Sequence, residues 1–196
     1  MSTVVLQALG VGSLVDKKVL LFGSGKIATE SLKILNFELG LTNIDVINRT
    51  RDFTNIRSEF KESNLSINAG FIKNIGKYDI IIAHTQTAEP LISNAQLTEI
   101  KQGAFLASFI SSAEHGEFPD EIYDGKKANI IIDWEQTLVG AKDLKRALEA
   151  HKFDEHDLIY LKYLLSGKAI DQNKQYTVYR STGTPIQNLA ALKLLV

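Results

Sequence analysis

Short runs of apolar residues recur along the chain and alternate with segments whose apolar residues follow helical spacing. Uninterrupted apolar runs are typical of strands that are buried on both faces of a sheet. Because helical segments separate these runs, we expect a doubly wound α/β fold with a mainly parallel sheet. The predicted strands cover residues 19–22, 44–48, 65–67, 78–83, 104–109, 129–133 and 176–179.

Helical periodicity predicts the segments between these strands. No repeat, linker or low-complexity tract interrupts the series, so we interpret residues 1–196 as a single domain. It would open with a lead-in helix within 1–16 and close with a strand and helix at 176–196. The predicted helices cover residues 3–15, 27–39 (ended by Gly40), a stretch from 52, 94–100, 143–150, 155–165 and a stretch from 186 to the C-terminus.

A glycine-rich turn joins the first strand to the first long helix. The sequence reads G-x-G-x-x-A, with Gly23, Gly25 and Ala28 at the fixed positions. In this pattern the first glycine permits a tight turn, the second lets a pyrophosphate approach the backbone, and the small third residue packs helix against strand. Phosphate charge would then lie at the positive end of the helix. The pattern therefore predicts a Rossmann-type fold that binds a dinucleotide.

Ligands of doubly wound sheets bind at the carboxyl ends of the strands, where the strand order reverses. This rule limits the candidate positions to a few residues that follow the predicted strands. They are Gly23, Ser24, Gly25, Asn48, Arg49, Thr50, His84, Thr85, Gln86, Ala107, Ser108 and Asp133.

Asn48-Arg49-Thr50 ends the second strand, where NAD-specific sites usually carry an acid that binds the ribose 2′-hydroxyl. Here the acid is absent and an arginine follows. A guanidinium can bind a 2′-phosphate through two charge-assisted hydrogen bonds, which a carboxylate would repel. We therefore expect NADP to be preferred over NAD, with an ordinary turn and a solvated arginine as the alternative.

The remaining polar candidates have no partner that the sequence reveals. His84 could titrate near neutral pH, but without a visible base or metal-ligand spacing a structural role is favoured. The loop Thr85–Pro90 is either a plain strand-to-helix turn or an edge of the cofactor ribose site. Asp133 and Glu135 are either site acids or helix caps. No catalytic residue and no metal ligand is assigned.

Composition excludes several classes of function. The net charge is −1, which gives no reason to expect nucleic-acid binding. The chain has no cysteine, so disulfide scaffolds and thiol chemistry are excluded. No apolar run approaches the roughly 18 residues of a membrane helix, and the N-terminus lacks a signal-peptide pattern. We expect a soluble cytoplasmic protein without membrane contact.

The C-terminal segment Ser181–Ala191 resembles the Ser-x-Gly-x-x-x-x-Asp-Leu-Ala-Ala pattern that closes chains of the ornithine cyclodeaminase / mu-crystallin family. Thr85–Pro90 is similar to that family's Thr-Pro-Ser-x-x-Pro loop, and Gly140–Leu144 to its Ser-Gly-(Asp/Glu)-Leu stretch. The Asn48–Thr50 segment is similar to the corresponding one of mu-crystallin, which favours NADPH. Glutamyl-tRNA reductase and shikimate dehydrogenase share the Asn-Arg-Thr feature but not the tail, so they rank second.

The resemblance implies an NAD(P)-binding domain that serves hydride transfer or cyclodeamination, an oxidoreductase or lyase reaction, on a small amino acid or cyclic imine. It also implies which residues contact each part of the cofactor, from the pyrophosphate to the nicotinamide. Gly23, Ser24, Gly25, Lys26 and Ile27 would cradle the pyrophosphate, Asn48, Arg49 and Thr50 the adenosine ribose, Thr85 and Gln86 the central part, and Ala107, Thr182 and Gly183 the nicotinamide side.

Three departures from the family pattern bear on catalysis. The family's preceding substrate domain is absent from this sequence, Ser112 replaces the acid of the cyclodeaminases, and Asn188 replaces the tail aspartate. We therefore expect the catalytic half to come from a missing N-terminal segment or a separate polypeptide, with a second copy or a partner chain at the place of that domain. A non-catalytic NADP(H)-binding module and a glutamyl-tRNA or shikimate-type reductase remain as alternatives.

Overall fold

The protein is represented by a computed structural model, which describes residues 2–109 and 115–183. Eight strands form a single parallel sheet in the order β3-β2-β1-β4-β5-β8-β6-β7. This confirms the predicted doubly wound α/β fold. The strands are β1 Val19–Phe22, β2 Asn43–Ile47, β3 Ser66–Ala69, β4 Ile80–Ala83, β5 Ala104–Ser108, β6 Ala128–Ile132, β7 Leu158–Tyr160 and β8 Tyr176–Arg180.

Helices cover both faces of the sheet, as the two separate apolar clusters demonstrate. Along β1, Val19 and Leu21 pack on one face with α1, α2, α3 and α7, whereas Leu20 and Phe22 pack on the other with α4 and α6. Such burial on both faces explains why the strands read as continuous apolar runs. The helices are α1 Ser2–Ala8, α2 Lys26–Leu39, α3 Thr54–Ser58, α4 Asn94–Thr98, α5 Gln136–Gly140, α6 Lys142–Glu149 and α7 Leu161–Leu165, with short 3₁₀ helices at Ile72–Lys77, Asp120–Tyr123 and Glu155–Asp157.

Two predicted helices were wrong in extent or type. The lead-in helix ends at Ala8 because Gly10 adopts φ +83° and its N–H bonds back to the carbonyl of Gln7. The helix expected at 155–165 is instead a 3₁₀ turn, the edge strand β7 and the short helix α7. β7 pairs with β6, so its apolar residues are buried by sheet neighbours rather than by a helical face. The helix expected from Ile186 lies outside the described residues.

The strand order fixes where the carboxyl ends meet. β1 lies between β2 and β4. From β1 the chain continues to β2 and β3 on one side, and then to β4 and β5 on the other side, so the crevice of the sheet opens at the carboxyl ends of β1 and β4. β8 lies between β5 and β6, which brings Ser181, Thr182 and Gly183 to the same edge. Within the described part of the chain, no helix is long and apolar enough to cross a bilayer.

Candidate functional site

The turn after β1 is shaped by two glycines with different requirements. Gly23 has φ +105°, and a Cβ at this position would overlap the carbonyl oxygen of His84 after β4. Gly25 is the N-cap residue of α2, and no atom lies within 4 Å of the position its Cβ would take. Lys26 and Ile27 follow with exposed side chains. The first glycine therefore locks the turn against β4, and the second leaves open space at the positive end of a 14-residue helix.

Asn48 links the end of β2 to the glycine turn. Its amide nitrogen donates to the Ser24 hydroxyl at 2.8 Å and to the Asp52 carbonyl at 2.7 Å. Its carbonyl oxygen is buried and has no hydrogen-bond partner among the described residues. Arg49 and Thr50 are exposed, and the Thr50 hydroxyl accepts from the Asp52 N–H. A buried acceptor without a donor is costly, so Asn48 Oδ1 marks a place where a ligand hydroxyl would be stabilised.

A cleft of about 470 Å³ opens beside Asn48, between the ends of β2 and β3. Arg51, Phe71 and Lys73 line it, whereas Arg49 does not. Phe71 is 66% exposed and presents an aromatic face to solvent. Sequence reasoning missed these three residues. The second arginine of Arg49-Thr50-Arg51 was visible in the sequence, but nothing local indicated that Arg51, whose φ is +54°, is the one that lines the cleft.

The cations around this cleft are not neutralised. In the described portion of the protein, Arg49, Arg51 and Lys73 form no ion pair. Asp52, the nearest acid along the chain, accepts a hydrogen bond from the Thr54 N–H at 2.9 Å, and this bond lowers the pKa of its carboxyl. The cleft therefore offers positive charge to an anionic ligand.

The loops after β4 and β5 meet at a buried carboxylate that sequence reasoning also missed. Glu117 is fully buried and accepts four hydrogen bonds, two from Thr85, one from the Ser108 hydroxyl and one from the Phe109 N–H. Gln86, next to Thr85, is exposed. Nothing near Glu117 in the sequence announces this role, because its partners lie up to 32 residues away.

His84 stands behind the glycine turn rather than free in the crevice. Its Nε2 is 2.8 Å from the Ser31 hydroxyl on α2, and its ring stacks on Phe109 with centroids 4.6 Å apart. Burial lowers the pKa of His84 from 6.5 to about 4, so the ring is neutral at physiological pH. These contacts agree with the predicted structural role.

The candidates on the far side of the crevice are held by Asp133, the residue after β6. Its carboxylate accepts from the Ser181 hydroxyl at 2.7 Å, from the Trp134 N–H at 3.1 Å and from the Thr137 hydroxyl. The Ser181 hydroxyl accepts in turn from the Gly183 N–H, and Thr182 lies 3.3 Å from Thr137 between their hydroxyl oxygens. Asp133 therefore fixes this turn through its side-chain hydrogen bonds, whereas the N-cap residue of α5 is Glu135, which makes no side-chain cap bond.

Ala107 is placed differently from the other candidates. It lies inside β5 with no exposed surface, and its side chain belongs to the apolar cluster beneath the sheet. Ser108 is the residue at the strand end. Ala107 would therefore affect a ligand only indirectly, through the shape of β5 beneath the ligand.

A family profile described as Shikimate / quinate 5-dehydrogenase matches residues 5–110 of the chain. The chain belongs to this family. The matched region carries the glycine turn, the end of β2 and the loop after β4, but it ends before β6, β7 and β8. The turn around Thr182 and Gly183 thus lies beyond the part that the profile of the Shikimate / quinate 5-dehydrogenase family covers.

Individual relatives match parts of the chain at low identity. Glutamyl-tRNA reductase of Listeria monocytogenes serotype 4a (strain HCC23) is 33% identical over 95 residues, which is 46% of this chain. The chain matches about a fifth of that relative's length, 21%. The match therefore shows a shared segment rather than a shared whole.

Solved structures match nearly the whole described fold. The iminosuccinate reductase of Paracoccus denitrificans in complex with NAD⁺ has a TM-score of 0.80 at 19% identity, over 98% of this chain and 59% of that one. The probable ornithine cyclodeaminase of Bordetella pertussis Tohama I has a TM-score of 0.80 at 22% identity, over 97% and 61%. These likenesses confirm the fold of this member of the Shikimate / quinate 5-dehydrogenase family. The finer assignment to mu-crystallin stays a prediction.

Proposed function

We propose that the chain is the NAD(P)-binding domain of an oxidoreductase that acts on a small amino acid or cyclic imine by nicotinamide hydride transfer. The observation that carries the proposal is the open glycine turn at Gly25, at the point where the strand order reverses, with a cationic cleft beside it at the ends of β2 and β3. Rossmann folds bind dinucleotides at this place. The cofactor would supply the hydride, and the protein its binding and orientation.

The residues present fit such a cofactor. The backbone from Gly23 to Ile27 would receive the pyrophosphate at the start of α2, where no side chain fills the space. Asn48 Oδ1, which lacks a donor, would accept a hydrogen bond from a hydroxyl of the adenosine ribose. Phe71 and the cleft floor at Gly70 would lie against the adenine. Thr85, Gln86, Thr182 and Gly183 would border the other half of the molecule.

NADP is the cofactor that we expect to bind more tightly. The end of β2 carries no acid that would bind a free 2′-hydroxyl, and Arg51 and Lys73 line the neighbouring cleft without ion-pair partners among residues 2–109 and 115–183. Arg49 is exposed beside them and could reach a phosphate from outside the cleft. We infer that Arg51, with Lys73, provides the main attraction for the 2′-phosphate, and that Arg49 contributes less.

The class of substrate is supported by the structures that match the full fold. Iminosuccinate reductase and ornithine cyclodeaminase act on amino acid or imine compounds, as their names state, and their likeness includes β6 to β8. The chain spans about 60% of those chains (59% and 61%), so substrate contacts would also come from protein outside this sequence. We propose that a partner domain, a partner chain or a second copy of this chain supplies those contacts.

A titration tests the shared premise. NADPH added to the protein should change the emission of Trp134, the single tryptophan, or release heat in calorimetry. Saturable binding of NADPH with weaker binding of NADH is the expected result. Binding of neither nucleotide would overturn the proposal, and tighter binding of NADH would overturn the NADP preference alone.

Replacement of the arginines separates their contributions. Arg51→Ala should weaken NADPH binding by about tenfold or more, because one charge-assisted contact with the 2′-phosphate is lost, and leave NADH binding nearly unchanged. Arg49→Ala is the matched control, with a smaller loss for NADPH. An equal loss of NADPH and NADH in Arg51→Ala would contradict its role at the 2′-phosphate.

A second candidate is reduction of the shikimate or glutamyl-tRNA type, which the family match over residues 5–110 favours. The two candidates differ in substrate but share the cofactor. Turnover assays of the whole protein with cyclic imines, with shikimate or quinate, and with glutamyl-tRNA would separate them. NADPH binding without turnover of any of them would support the non-catalytic module instead.

A further inference from the structure

Glu117 is a buried acid whose carboxylate accepts hydrogen bonds from both crevice loops. Oε1 accepts from the Thr85 N–H at 2.6 Å and from the Thr85 hydroxyl at 2.8 Å. Oε2 accepts from the Phe109 N–H at 2.9 Å and from the Ser108 hydroxyl at 3.0 Å. One carboxylate oxygen thus binds the loop after β4, and the other binds the loop after β5.

The backbone around Glu117 is fixed independently of these bonds. Its carbonyl accepts from the Leu91 N–H at 2.8 Å, and the next residue, Phe118, is buried in the apolar cluster. A Cβ at Gly116 would overlap the carboxylate of Asp143, so this segment packs closely on the Asp143–Arg180 ion pair. The backbone of Glu117 is therefore anchored by contacts that are separate from the hydrogen bonds of its carboxylate.

The two loops are those that border the second half of the crevice. The cleft with Asn48 and Arg51 lies beyond β2 and β3, on one side of the reversal point, whereas Thr85 and Ser108 end β4 and β5 on the other side. An extended dinucleotide with its pyrophosphate at the turn after β1 would place its nicotinamide half over these loops.

We propose, on the basis of the dinucleotide-binding function above, that Glu117 is a positioning residue that holds the nicotinamide half of the site and leaves the adenine half unaffected. Each of its oxygens faces a backbone N–H, which can only donate. Glu117→Gln replaces one oxygen by an NH₂ group, so one N–H would face a donor and its loop would be released. Because the site would then be held less rigidly, part of the binding free energy of the nicotinamide half would be spent on ordering it.

The experiment compares two ligands on two matched variants. Calorimetry measures NADPH, which covers both halves of the site, and adenosine 2′,5′-bisphosphate, which covers only the adenine half. Glu117→Gln should weaken NADPH binding by about tenfold and leave adenosine 2′,5′-bisphosphate binding about unchanged. The control is Glu121→Gln, four residues further along, which removes an acid that pairs with Lys152 away from both crevice loops and should change neither affinity.

A second measurement follows the hydrogen bonds without any nucleotide. Amide protons bonded to a carboxylate resonate at low field, so the loss of one such bond should shift the amide proton of Thr85 or Phe109 upfield in Glu117→Gln. Glu121→Gln should leave both resonances in place. If Glu117→Gln does not fold, Ser108→Ala removes only one hydroxyl donor and should weaken NADPH binding several-fold in the same selective way.

The outcomes separate the two proposals. If the unmodified protein binds neither nucleotide, the proposed function fails and the positioning role fails with it. If it binds both but Glu117→Gln binds NADPH with unchanged affinity, only the positioning role is overturned. An equal loss of affinity for NADPH and adenosine 2′,5′-bisphosphate would also overturn it, because that result indicates general support of the fold.

Discussion

The contacts of a side chain in the crevice, more than its residue type, determine its protonation state and its role. His84 is the clearest case, because a histidine at a strand end invites a catalytic interpretation. Here the ring is enclosed between Ser31 on α2 and Phe109 after β5. Burial lowers its pKa to about 4, so it would need strongly acidic conditions to carry charge in the folded protein.

This burial predicts a pH dependence of stability. An unfolded histidine titrates near pH 6.5 and the folded His84 near 4, so between these values the unfolded state binds more protons and stability falls as pH decreases. From pH 7 to pH 5 the free energy of unfolding should fall by up to about 2 kcal/mol on account of His84. Urea denaturation at both pH values measures the loss.

Two glutamine variants isolate the contribution of His84 from that of the acids. His84→Gln should reduce the decrease in stability between pH 7 and pH 5. His156→Gln is the matched control and should not, because that side chain is 80% exposed to solvent. The same decrease in both variants would mean that burial does not perturb His84.

At this scale the sequence located residues whose position follows from strand ends and local pattern, such as Gly23, Gly25 and Asn48. It did not reveal Glu117, because the donors to its carboxylate come from loops after two other strands. Nor did it distinguish Arg49 from Arg51, because that choice depends on backbone angles in the turn.

Secondary-structure elements were predictable where their pattern is local. The β1 strand, the α2 helix and its Gly40 stop appear as expected, with Gly40 in the left-handed region at φ +67°. β7 was missed because Leu158, Leu161 and Leu164 also satisfy helical spacing. Leu158 is a strand residue only because it pairs with β6, and the sequence does not show that pairing. The insertion of β8 between β5 and β6 is likewise a long-range choice that no local pattern specifies.

The contact between the β1–α2 turn and β4 leads to a prediction for Gly23→Ala. A methyl group there would overlap the His84 carbonyl, and the residue would also have to keep φ +105°. Left-handed strain and overpacking together should cost about 3 kcal/mol of stability. Gly167→Ala is the control, because Gly167 has φ +91° but no atom within 4 Å of its Cβ position. Thermal or urea denaturation that gives equal losses for both variants would show that the close approach to β4 is unimportant.

Across the whole molecule, one buried ion pair joins elements that are distant in sequence. Arg180 at the end of β8 donates to both carboxylate oxygens of Asp143 on α6, and both residues are 2% exposed. Tyr123 donates to the same carboxylate at 2.8 Å. Burial alone would raise the pKa of Asp143, but Arg180 and these hydrogen bonds hold it below its usual value. The pair thus connects the sheet, a helix and the segment that carries Gly116 and Glu117.

Removing both partners of this pair should cost much less stability than the sum of the losses from removing each one alone. Asp143→Asn leaves a buried guanidinium without its counter-charge and should reduce the free energy of unfolding by about 3–5 kcal/mol. Arg180→Met leaves the carboxylate unpaired and should cost a similar amount. Combining Asp143→Asn with Arg180→Met should cost much less than the sum, because neither charge then remains buried. Glu149→Gln, which breaks the exposed pair with Lys145 on the same helix, should have little effect. Additive losses in the double variant, measured by urea denaturation, would mean that each side chain stabilises the fold by packing alone, and the mutual charge compensation inferred from the geometry would be wrong.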